Sequence, residues 1–66
     1  MAVDNKMYDL ISVLYHALQG AETTDKYIKD AEQAGDEELV KYFREVKDQY
    51  LKLADRGKTL LGKQVS

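Results

Sequence analysis

The chain has 66 residues, ten of them Lys or Arg and twelve Asp or Glu, giving a net charge of −2, with one histidine and no cysteine or proline. That length limits it to one small domain, residues 1–66, with a marginal core; the lack of cysteine rules out disulfides and thiolate metal sites, and one histidine rules out a His-rich site within a single chain. The interspersed charges form no basic stripe for nucleic acid, no apolar run reaches the roughly 20 residues of a membrane span, and the start MAVDNKMYDL lacks the cationic n-region of a signal peptide, so a cytoplasmic protein binding neither nucleic acid nor membrane is expected.

In chain order, Asp4 or Asn5 can cap a first helix over about residues 5–34. A seven-residue frame sets Met7, Leu14, Ala21 and Ile28 on one row and Leu10, Ala17, Thr24 and Ala31 on its companion. Gly35 suits a left-handed residue just past the helix end, and Asp36 suits the next N-cap, with Glu37 and Glu38 in the positive first turn. A second helix follows over about residues 36–62, its inward row expected to be Leu39, Val46, Leu53 and Leu60, flanked by Tyr42, Phe43 and Tyr50. Each helix would be roughly 40–45 Å long. So short a connection forces an antiparallel two-helix hairpin, an all-α fold. Glu22 with Lys26, Asp25 with Lys29, Glu37 with Lys41 and Asp48 with Lys52 are spaced as solvated acid-before-base pairs.

The first half of helix 1 is apolar nearly all round, and one partner helix cannot cover it. Two hairpins packed about a two-fold axis would, as a four-helix bundle. A homodimer or higher even oligomer is therefore expected, with Met7, Tyr8, Ile11, Leu14, Tyr15 and Leu18 at the interface. The phenols of Tyr8 and Tyr15 would lie at its rim. A further protein partner is left open.

The chemistry-bearing residues are few. His16 lies beside the core rows in neither a His-x-x-x-His nor a Glu-x-x-His spacing, and reads first as a half-buried or interface histidine. A site shared with its symmetry mate, or a phospho-accepting role, is the sharper alternative, but the acidic neighbour and proline of the latter motif are missing. Gly57-Lys58-Thr59 echoes the end of a phosphate-binding loop. Lys52 stands where the first glycine should be and no strand precedes it, so the residues read as a basic, fraying helix end. Glu22 and Asp48 each lie 13 residues from Gly35 and so fall at one level of the hairpin. With Glu45 they have the makings of an oxygen-rich metal site in an oligomer. Both lie on outward rows beside a lysine, which favours solvated ion pairs.

Tyr27, Ile28, Lys29, Asp30, Ala31, Gly35, Leu39, Phe43, Ala54, Arg56 and Leu60 give a pattern that resembles one rubrerythrin-type hairpin of the ferritin-like superfamily, over about residues 14–61. The resemblance implies half a di-iron site, with a glutamate on helix 1 and Glu-x-x-His on helix 2. Carried onto this chain, those ligands fall on Ala17, Tyr50 and Leu53, so none is present. Ala17 and Leu53 each lie 18 residues from Gly35, which places them at one level independently. The resemblance thus implies a ferritin-like four-helix bundle with a degenerate di-iron site. The expected function is a non-catalytic structural or interaction module without a cofactor. The competing expectation is a metal-binding or redox protein using Glu22, Glu45, Asp48 or His16 across an oligomer interface.

Overall fold

The computed structural model describes residues 4–65; residues 1–3 and 66 of the expected domain lie outside the described residues. Two helices, α1 (Asn5–Gln33) and α2 (Glu37–Val65), pack antiparallel, and the described residues contain no strand. The Cα trace measures 51 × 16 × 12 Å, a slab one helix deep. No helix among the described residues is long and apolar enough to cross a membrane.

The helix ends follow from local chemistry. The Asp4 backbone is extended and its carboxylate accepts from the Met7 N–H at 2.9 Å, satisfying one of the free donors of the first turn. At the other end Gly35 takes φ 70°, where a Cβ would be strained. This lets the Gly35 N–H donate to Glu32 O and the Asp36 N–H to Ala31 O, both at 3.0 Å, which closes α1 by a Schellman pair. Asp36 then caps α2, its Oδ1 accepting from the Leu39 N–H at 3.0 Å. One residue thus finishes one helix and starts the next. Asp36→Ala is expected to lower stability by about 1 kcal/mol, a fall in Tm of roughly 4–8 °C for a domain this size. Asp36→Asn should recover most of it in thermal circular dichroism.

Both expected rows of α1 lie in the seam between the helices: Ala17, Ala21, Thr24, Ile28 and Ala31 are buried, and Met7, Leu10 and Leu14 are half-buried. On α2 the expectation fails by one residue. The seam is lined by Val40, Phe43, Lys47, Tyr50, Ala54, Gly57 and Leu61. Leu39, Leu53 and Leu60 are 39%, 51% and 43% exposed, and Tyr42 also faces water. The physical reason is size. Ala54 is 2% exposed, and Gly57 sits so near Leu14 that a Cβ on it would lie 3.4 Å from Leu14 Cδ1. Small residues let the two backbones approach, and leucines at those places would hold them apart.

Mid-seam, the ring of Tyr50 lies over Gly20, where a Cβ would stand only 2.6 Å from Cε1. Thr24 is buried, and its hydroxyl donates to Gly20 O at 2.6 Å, so its one polar atom is satisfied within the helix. Lys47 occupies a seam position with its ammonium reaching out to Asp25 at 2.6 Å, and Arg44 pairs with Glu32 at 3.1 Å. Of the four expected pairs within helices, Asp48 with Lys52 forms, at 3.1 Å. Asp25 bonds across the seam instead of to Lys29, and the Glu22–Lys26 and Glu37–Lys41 pairs are not formed. The expected fraying at Gly57-Lys58-Thr59 is also corrected. α2 continues to Val65, because Gly57 is buried in the seam and Thr59 donates back to Asp55 O at 3.3 Å.

Candidate interaction face

Each helix has a row flanking the seam on either side, so the hairpin has two broad sides. In an antiparallel pair the residue just before each inward row meets its counterpart across the seam. On one side these are Val13 and Tyr27 of α1 and Leu39, Val46, Leu53 and Leu60 of α2. The four α2 residues make an apolar stripe down the whole helix, with Val46 half-buried and the leucines exposed. Toward the turn the stripe broadens into an aromatic patch. Phe43 lies between Tyr27 and Tyr42, with ring centroids 5.8 and 5.9 Å away and planes tilted 51° in both pairs.

On this same side Val13, His16, Ala17, Tyr50 and Leu53 line an open depression of ≈ 440 Å³. The three positions expected to face one another at a ligand level, Ala17, Tyr50 and Leu53, thus meet in one place. Their chemistry does not fit a di-iron centre, since Ala17 and Leu53 have no donor atom and Tyr50 supplies one phenol. What the depression offers instead is a small floor with apolar walls, a shape that fits an inserted side chain.

The opposite side is divided. Near the turn it is ionic: Asp25, Lys29, Glu32, Arg44, Lys47 and Asp48 border a shallow cleft of ≈ 410 Å³. Toward the open end Tyr8, Ile11, Tyr15, Leu18 and Leu51 are exposed. The six residues expected at a dimer interface therefore separate. Met7 and Leu14 help close the seam within the chain, while Tyr8, Ile11, Tyr15 and Leu18 point away from the Ala17–Tyr50–Leu53 depression. The long stripe of α2 is the seven-residue repeat expected to fill the seam, and it stands one residue off the row that does.

The candidate metal ligands do not come together. Asp48 borders the ionic cleft, Glu22 and Glu45 are exposed, and His16 lies at the edge of the depression, edge-on to Tyr15 with centroids 5.5 Å apart and planes at 67°. Among the described residues no three His, Cys, Asp or Glu side chains are placed to hold a metal ion. His16 is exposed in the single chain rather than half-buried.

No family model matches the chain, and no curated protein or solved structure is significantly similar to it. The likeness to a rubrerythrin-type hairpin accordingly rests on the sequence pattern.

Proposed function

We propose that the chain is a non-catalytic, self-associating structural module, two copies of which form a ferritin-like four-helix bundle with a filled core. Its partner is a second copy of itself rather than nucleic acid or membrane, it needs no cofactor, and its setting is the cytoplasm. The observation carrying this reading is the apolar stripe Leu39, Val46, Leu53 and Leu60, its three leucines exposed, on a hairpin whose fully buried seam residues are, apart from Ile28, all Ala, Thr or Gly. No large side chain among the described residues is completely buried. The chain exposes 5397 Å², against about 4,300 Å² expected for a compact monomer of its mass. The excess, on the order of 1,100 Å², is the scale of the roughly 800 Å² each partner buries in a standard interface.

Sedimentation and light scattering test this at micromolar concentration. A dimer is the expected species, and a stable folded monomer overturns the reading. The non-catalytic part is tested on protein purified without chelator and titrated with Fe²⁺ or Mn²⁺. No stoichiometric binding is expected; stoichiometric metal that is lost in Glu22→Gln or Asp48→Asn would establish the competing metal-binding reading.

A further inference from the structure

The stripe side ends at the turn in two adjoining recesses. The first, of ≈ 270 Å³, is bordered by buried Ala31, the rings of Tyr27 and Phe43, and the carboxylates of Asp30 and Asp36. The second, of ≈ 340 Å³, shares Asp36 and Leu39 with the first and adds Glu38 and Tyr42. The charged groups lining the two are carboxylates, and neither recess is bordered by a lysine or arginine. The ionic cleft on the other side differs: it has three groups of each sign, and Glu32 with Arg44 and Asp25 with Lys47 already pair there. Among the described residues Asp30, Asp36 and Glu38 enter no ion pair. Asp36 uses Oδ1 to cap α2 and keeps its other oxygen. The charge of the surrounding chain has the same sign, since residues 22–48 include nine acidic and five basic side chains, a net charge of −4.

We propose that these recesses take an arginine side chain presented by a partner protein, with an apolar neighbour of that arginine seated on Leu39 and Tyr42. Aromatic faces are negative and attract a cation, and carboxylates beside them complete its charge. A guanidinium meets both demands together, because its plane stacks on a ring while its edge donates to a carboxylate; an ammonium is a point charge that cannot stack in this way. Phosphate and carboxylate ligands are repelled by the same three groups. A free small molecule is a poorer fit, since such ligands are enclosed in pockets of roughly 300–1,000 Å³, and the recess between the rings is smaller and open. The cation therefore arrives attached to a chain. The complementarity of charge and ring faces carries this inference, which does not rest on the dimer reading.

Titration of the full chain with N-acetyl-leucyl-arginine amide, followed by NMR, decides this. Shifts are expected at Tyr27, Asp30, Leu39 and Phe43, and the leucyl-alanine version should bind about tenfold more weakly. Tyr27→Leu keeps an apolar contact for Phe43 and removes a ring, and Asp30→Asn removes a charge. Both side chains are exposed, so the fold should survive, and each change is expected to weaken the arginine peptide about fivefold. Equal binding of the two peptides overturns the inference. So does Glu22→Gln weakening the arginine peptide as much as Asp30→Asn, since that would reduce the effect to overall negative charge. If the apparent affinity falls as chain concentration rises, the second copy covers the recesses; the inference is then overturned while the dimer reading stands.

Discussion

Leu53→Asp is expected to weaken self-association at least about a hundredfold, a loss of some 2.7 kcal/mol. Leu53 is 51% exposed in the single chain, so the hairpin itself loses little by the change. In the dimer it forms one wall of the central depression, where a carboxylate would be cut off from water with only Arg56, one turn on at the rim, and His16 at the edge within reach. Burying an unpaired charge costs several kcal/mol, and the two-fold introduces it twice. Sedimentation equilibrium reads the result directly. Tyr8→Asp, on the opposite side, serves as the control and should leave the association unchanged. If Tyr8→Asp dissociates the protein and Leu53→Asp does not, the interface lies on the Ile11 and Leu18 side and the stripe has been misjudged.

The second large effect concerns stability. Ala54→Leu, one residue along, should destabilise the hairpin by about 1–3 kcal/mol through overpacking, lowering Tm by roughly 5–20 °C. Ala54 is 2% exposed in the seam, and the three carbons that leucine adds have no room there without separating the helices. That loss belongs to the chain and is independent of protein concentration. Leu53→Ala, in contrast, should lower Tm only through weaker association, so its effect shrinks as concentration rises. A neutral Ala54→Leu with a concentration-independent loss in Leu53→Ala would move Leu53 into the seam and Ala54 out of it.

These neighbours also show where sequence reasoning stops. The hairpin, its turn and both rows of α1 were legible because caps, a left-handed glycine and a seven-residue repeat each act locally. The same repeat misled on α2. Its most hydrophobic row, Leu39, Val46, Leu53 and Leu60, is not the row that packs within the chain. The seam is selected by how closely the helices can approach, and Ala54 and Gly57 permit that approach while contributing little hydrophobicity. Lys47 obscured the row further, because an ammonium can reach the rim while its methylenes stay in the seam. The convergence of Ala17, Tyr50 and Leu53 was legible from their spacing about Gly35. That they lie on the side away from Tyr8 and Tyr15 was not, because the apolar half of α1 points in three directions and only the partner helix decides which one is covered.

The turn also governs the order in which the molecule assembles. With Asp36 finishing one helix and starting the other, no slack separates the two, and closing the first contacts beside the turn costs very little chain entropy. Contacts then form in succession outward, each aligned by the one before, so the seam closes like a zipper and the fold combines length with low contact order. Only the last contacts are loose: Met7, Leu10 and Leu61 at the far end are half-buried, whereas Ala17, Ala54 and Gly57 just inside them are buried. A second copy laid along the hairpin would cover these loosely held ends, so that each copy completes the folding of the other.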